Sequence, residues 1–340
     1  MLDRLKQSLG LQTAAVAREE EPPARQNILI ISNCQVQLLK HCLSAVCENA
    51  DFDTIPVHVY TPDEREKVFS EVIASRDHYD LVLSIALSDD FGALSRDAIA
   101  ATFHPVPVIT ISNLVFTGLH PDITYIGGLS ARTPGPLGDY HSRLALLGYL
   151  MGLEPAQTEK LYRAEVYHQL GYFNAFQESL EEMRRRDETT DIPIGSLLEE
   201  RLRLGVCFFS HNHPTSFLMA PYVGKIARTL HERGLIRYTG FEPRPEEVLN
   251  FLAASWIFPV YPELTQEHSL PYKGSYIYRT ETVGDHPSSV ITLSDFVRAE
   301  YDAFAQGDQA QLRTTYPGVL LLLQHGEREE FRRLISRLLK

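Results

Sequence analysis

The sequence predicts an α/β fold: a parallel, Rossmann-like or flavodoxin-like sheet in the N-terminal half, covered by a mainly helical C-terminal half. Three observations carry that reading. Aliphatic runs alternate with amphipathic segments through residues 27–112, the pattern of βαβ units. The first run, Ile28-Leu29-Ile30-Ile31, is continuous, as a strand covered on both faces requires. From about residue 139 the apolar spacing becomes helical.

In order, residues 1–26 read as a flexible N-terminal segment. Leu2, Leu5, Leu9 and Leu11 can form a short amphipathic helix able to touch a membrane or a partner, and the Glu run and Pro22-Pro23 resist packing. The first strand ends at Ser32-Asn33, either of which can cap a helix whose apolar side is Leu38, Leu39, Cys42, Leu43 and Val46. Ile55–Tyr60 is a second strand candidate. A helix follows from Thr61-Pro62-Asp63-Glu64, which combines a cap, an early proline and first-turn acids. Asp80–Leu87 and Pro105–Ser112 are strands three and four, with a short helix at Ser95–Ala101 between them. Right-handed crossovers bring the ends of strands one, three and four to one edge, where open α/β sheets bind ligands. An α/β domain over 27–138 closes in a Gly/Pro-rich loop, and 139–340 form a mainly helical region completing the cleft. Helices are expected at Thr215–Arg233, Leu293–Ala305 and Glu327–Leu339, with 241–290 irregular.

The 340 residues carry a net charge of −12, which disfavours nucleic acid as the main partner. The four cysteines form no CxxC pair and no secretion signal precedes them, so reduced thiols in the cytoplasm, with at most peripheral contact to the inner membrane, are expected. No window reaches transmembrane length, and no HExxH-type spacing predicts a metal. P-loop, GxGxxG and GxSxG motifs are absent, which argues against a P-loop NTPase, a standard dinucleotide enzyme and an ordinary α/β-hydrolase.

Three constellations can carry chemistry. Ser32-Asn33-Cys34-Gln35 puts a thiol at a helix N-terminus, where amides and the helix dipole favour a thiolate or an anionic group. Gln35 can add a hydrogen bond to an oxyanion. In Gly118-Leu119-His120-Pro121-Asp122 the imidazole can act as a base oriented by Asp122. In Ser210-His211-Asn212-His213-Pro214, strand alternation would send the two imidazoles to opposite faces, and one of them can serve as base or phosphate ligand. Arg132, Lys225, Arg228 and Lys273 are scattered basic groups for phosphates.

Taken together, the SNCQ turn, LSIALSDDFGALS, NLVFTGLHPDITYIG, FFSHNHPTSFLMAPYVGKIARTL and FPVYPEL occur in the order seen in the WcbI-like family, named for capsular polysaccharide biosynthesis, and the chain resembles it over about residues 27–275. Ser32 stands where that family's signature has Gly. The resemblance implies a coenzyme A-binding acyltransferase with acetyl-CoA as donor and a sugar or polysaccharide as acceptor. Cys34, Gln35, His120 and His213 would be catalytic, and Ser32, Asn33, Asn113, Arg132, His211, Lys225 and Lys273 would hold the cofactor. Two alternatives stand beside it: a non-catalytic coenzyme A- or nucleotide-binding protein of an assembly complex, and an SGNH-type esterase using Ser32-Asn33 or Ser112-Asn113. Oligomeric state is left open.

Overall fold

The computed structural model describes residues 25–128, 131–281, 289–320 and 327–340. The expected N-terminal segment therefore lies almost wholly outside the described residues. A four-stranded parallel sheet organises the first half: β1 Gln26–Ser32, β2 Ala50–Pro56, β3 Leu81–Ile85 and β4 Val108–Ile111, in the order β2-β1-β3-β4. Helices α1 Val36–Val46, α2 Pro62–Ala74 and α3 Arg96–Phe103 supply the crossovers. The chain leaves β1 toward one edge and returns on its other side as β3, so the C-terminal ends of β1 and β3 flank the topological switch point.

Local chemistry accounts for most boundaries. Ile28–Ile31 and every residue of β3 are buried, as central strands demand. Thr61 and Glu64 form a capping box at the start of α2. The second strand sits at Ala50–Pro56 and not at Ile55–Tyr60. It is an edge strand in which Phe52 and Ile55, on opposite faces, are buried while Asp51 and Asp53 are exposed, so it has no continuous apolar run. At the head of α1 the capping position is Gln35, and Asn33 assists by accepting the Gln35 amide through its side chain at 3.0 Å.

The second half packs directly onto this sheet. Helices α4 Arg143–Leu150, α5 Ala175–Asp187 and α6 Gly195–Leu202 lead to a short hairpin, β5 Phe208–Ser210 and β6 His213–Pro214. Helix α7, Ser216–Glu232, follows and buries Leu218, Tyr222, Ile226 and Leu230. Ile192 bridges Ile111 in parallel and prolongs the sheet. Helices α8 Leu293–Gln306, α9 Gln309–Leu320 and α10 Glu327–Leu338 complete the chain. Helix α9 lies outside the helices expected from the sequence, and it runs across Pro317-Gly318.

Two features fix the loop after β4. A Cβ on Gly118 would lie 2.6 Å from the Phe176 Cα, so glycine alone lets α5 approach this closely. From α5, Arg186 donates to the Asn113 and Val115 carbonyls, and the Ser112 hydroxyl donates to Asp187 at 2.6 Å. Further along, the fully buried Asp122 carboxylate accepts hydrogen bonds from Ser142 Oγ and Tyr261 Oη at 2.6 Å, Tyr172 Oη at 2.8 Å and the Leu144 amide at 3.0 Å. Asp122 thus joins segments far apart in sequence, and its oxygens meet these four donors, none of which is His120.

Removing this acceptor leaves the buried Tyr172 hydroxyl and Leu144 amide without a partner, while Ser142 and Tyr261 keep their contacts with Tyr162 and Tyr278. Asp122→Ala is expected to destabilise the protein by about 3 kcal/mol or more, read from the urea midpoint at constant m.

Candidate active site

The turn after β1 is pinned from three directions. Asn33 Nδ2 donates to Asn113 Oδ1 at 2.9 Å, crossing the end of β3 to reach the loop after β4. The buried Gln35 side chain spends both amide hydrogens on carbonyls, Leu114 at 2.9 Å and Asn212 at 3.0 Å. Gln35 is therefore a tie between loops and has no hydrogen left for an oxyanion. Asn113 uses only its carbonyl oxygen in this turn, which leaves its amide nitrogen for another acceptor.

Cys34 sits at this junction, half-buried, with Sγ 3.9 Å from both Asn33 Oδ1 and the Asn212 carbonyl oxygen. Burial pushes its pKa up to about 12, and the favourable local backbone amide offsets only part of that. The expected thiolate does not form: desolvation outweighs the helix end.

The hairpin β5–β6 supplies the imidazoles. Its tight reversal defeats the alternation expected of a continuous strand, and both rings flank Tyr140, with centroids 5.4 Å away for His211 and 5.9 Å for His213. His211 Nε2 lies 3.1 Å from the Tyr125 hydroxyl, and His213 Nε2 lies 3.3 Å from that of Tyr140. The Tyr140 hydroxyl also donates to Asn212 Oδ1 at 2.7 Å. His211 and His213 are 7% and 5% exposed. Burial, with help from neighbouring cationic groups, lowers their pKa values to about 3 and about 4. His120 is 2% exposed and neither ring nitrogen has a hydrogen-bond partner. Burial lowers its pKa to about 3, weakly opposed by the nearby Phe258 backbone. All three imidazoles are neutral at pH 7.

Arg132 joins the group, its guanidinium 3.7 Å from the Tyr125 ring centroid and 3.1 Å from Asp139. The exposed His58 lies close enough that Arg132 adds to the desolvation lowering its pKa. Other candidates stand apart. Lys225 donates to the Pro193 carbonyl from α7. Lys273 lines a separate depression with Pro262, Gln266 and Tyr272. Ser32 is fully buried with an unpartnered hydroxyl, and Ser112 is held between Asp187 and the Ile194 amide, so neither serine is paired with an imidazole as an esterase needs. Among the described residues no group of three potential ligands is arranged for a metal ion, and no helix is long and apolar enough to cross a membrane.

The sequence by itself assigns no role to the side chains of Tyr125, Tyr140 and Asn212. The tyrosines are two among 16, and nothing in their neighbourhood marks the hydroxyl as functional, although Tyr125 lies in the NLVFTGLHPDITYIG block. Asn212, between two histidines, was the one legible signal.

The neutral imidazoles make stability depend on pH. Their folded pKa values lie below the ordinary 6.5, so the unfolded chain binds more protons below that value. The stabilisation is complete above pH 6.5 and is lost as pH falls toward 3–4. At pH 5 each imidazole is expected to have cost about 2 kcal/mol. Unfolding free energy measured from pH 7 to 5 should fall accordingly, and less steeply in His120→Leu.

Comparison with known proteins fits this architecture. No curated protein matches the chain. One solved structure is of WcbI, described as a polysaccharide biosynthesis enzyme and as native protein without a disulfide bond between coenzyme A and one of its cysteines. It superposes with a TM-score of 0.65 at 15% identity, covering 93% of this chain and 100% of that one. At that identity the likeness speaks for the fold. The sequence pattern of the family described as polysaccharide biosynthesis enzyme WcbI matches residues 27–234, a span that includes Cys34, His120 and the β5–β6 hairpin. With well over half of its length matched, the chain belongs to the WcbI family.

Proposed function

We propose that this protein is an O-acyltransferase that moves an acyl group, acetyl in the simplest case, from a coenzyme A thioester to a sugar hydroxyl during polysaccharide biosynthesis. One observation carries the reading: a thiol, neutral imidazoles and an unspent amide converge at the sheet's switch point. Family membership supports the polysaccharide setting. The coenzyme A–cysteine pair in the description of the related structure supports a thioester sulfur beside Cys34.

The protonation states favour direct transfer. Burial pushes the Cys34 thiol up to about 12, so the protonated form prevails at pH 7. A neutral imidazole, in contrast, is ready to accept a proton. The sugar hydroxyl gives its proton to His213 as its oxygen attacks the thioester carbonyl. The Asn113 amide and the Cys34 backbone N–H stabilise the oxyanion. Collapse breaks the carbon–sulfur bond, and the departing coenzyme A thiolate takes the proton from the imidazolium. Cys34 lines the thioester as a thiol, and Arg132 meets phosphate or an acidic acceptor group.

The near-complete burial of His211 and His213 favours a second reading, a coenzyme A- or nucleotide-binding protein without catalysis. Calorimetry with acetyl-CoA beside a product assay separates the two: binding without transfer to any sugar acceptor selects the second.

If transfer is direct, Cys34→Ala keeps at least about a tenth of kcat, and intact-protein mass spectrometry detects no acylated enzyme. Loss of turnover together with an acyl adduct on Cys34 would establish a nucleophile instead. The acid limb of kcat/KM should follow His213 at about 4, not the ordinary imidazole value, because the base works only above its own pKa.

A further inference from the structure

The contacts of Tyr140 determine which nitrogen of His213 carries the proton. A phenol has one hydrogen to donate. The Tyr140 oxygen lies 2.7 Å from Asn212 Oδ1 and 3.3 Å from His213 Nε2. Asn212 Oδ1 also accepts from Ser210 Oγ at 3.1 Å, and a carbonyl oxygen only accepts. The phenolic hydrogen is therefore spent on Asn212, and the contact with the imidazole is satisfied only if Nε2–H donates to the Tyr140 oxygen. His213 Nδ1 then bears the lone pair, and it is buried without a partner.

We infer that Tyr140 is a positioning residue which, anchored by Asn212, fixes the His213 proton on Nε2 and leaves Nδ1 as the proton-accepting atom. The logic is that of a base oriented by a third group, with a phenol–amide pair where many enzymes use a carboxylate. A carboxylate would bring a charge into this desolvated site; phenol and amide fix the tautomer without one. The ring is held for the task. Trp256 stands edge-on at 6.0 Å and Tyr125 at 5.6 Å, and a Cβ on Gly138 would run into the Trp256 indole at 2.5 Å. The hydroxyl keeps its hydrogen because burial, with the nearby Tyr125 and Cys34, drives its pKa well up.

The role as base rests on the acyl transfer proposed above, whereas the tautomer does not, and the experiment reads them separately. Two-bond ¹H–¹⁵N correlation spectra of protein labelled at histidine, with His213 assigned through His213→Gln, report which ring nitrogen is protonated at pH 7. The expected wild-type result is Nε2–H alone. Tyr140→Phe keeps the ring and its packing but removes the acceptor, so both tautomers appear. Asn212→Leu frees the phenolic hydrogen to turn toward Nε2, so the imidazole proton moves to Nδ1. A wild-type spectrum with the proton on Nδ1, or one that Tyr140→Phe leaves unchanged, overturns the assignment. In acetyl transfer, Tyr140→Phe should lower kcat about ten- to hundredfold with the KM for acetyl-CoA within about twofold. A kcat equal to wild type would overturn the positioning role. Absence of transfer by the wild-type protein would count against the acyltransferase reading alone, since the spectra decide the tautomer regardless.

Discussion

The geometry of this protein turns on the side-chain amide of Gln35. Its two hydrogens join three chain segments that share no sequence neighbourhood: the turn after β1, the loop after β4 and the hairpin at 208–214. All are at or near the end of the sheet, where backbone carbonyls have run out of strand partners. A buried carbonyl without a donor costs about 1–3 kcal/mol, so the amide serves two loops and anchors the first residue before α1 at once. Cys34 inherits its place from this tie. It has no strong hydrogen bond of its own and is held because both neighbours, Asn33 and Gln35, are fixed.

The same enclosure sets the electrical character of the site. Burial raises the thiol, lowers three imidazoles and raises the tyrosines, and every shift favours a neutral form. A helix end was expected to favour the opposite for Cys34. That effect is worth about 1 kcal/mol at an exposed terminus and cannot offset desolvation of an anion several times larger. A neutral site suits a reaction whose charge appears only in the transition state. Donors aimed at an oxyanion in a dry environment act more strongly than in water and need no reorganisation.

Much of the fold was legible because local rules agreed with the global arrangement. The buried strands β1 and β3 and the capped, proline-led start of α2 are legible in short windows. Failures came where tertiary context decided. The edge strand β2 has its two buried residues, Phe52 and Ile55, interspersed with aspartates, and α9 continues through a Pro-Gly pair. In the candidate site, Cys34 was visible as the break between an aliphatic run and a helix, and the 211–213 segment as paired histidines. Their partners were not visible. Tyr125 and Tyr140 meet them across some 70–90 residues, and no period or motif encodes such a distance. The role given to Asp122 failed for a related reason: adjacency in sequence to His120 says nothing about which four donors the fold brings to a carboxylate.

The second half of the chain also explains how charge is kept out of the site without being absent from its surroundings. His141, next to Tyr140 in sequence, is fully buried, with Nδ1 2.6 Å from Glu300 Oε2 on α8 and Nε2 2.8 Å from the Thr133 carbonyl oxygen. Both ring nitrogens thus have partners, and the carboxyl group and imidazole share a proton across the short Nδ1–Oε2 contact. Burial alone would lower the His141 pKa, but the Glu300 carboxylate outweighs it and the pKa is raised. Glu300 in turn accepts from the Ser142 amide, so the His141–Glu300 pair also fixes the start of α4, where Ser142 bonds Asp122. Within three residues the chain thus carries the phenol that faces the neutral His213, an imidazole paired with the Glu300 carboxyl group, and a serine that bonds both Glu300 and the buried Asp122. Sequence makes His141 and His213 the same residue; an acceptor on each nitrogen in one case, and an unpartnered Nδ1 in the other, make them a structural tie and a candidate base.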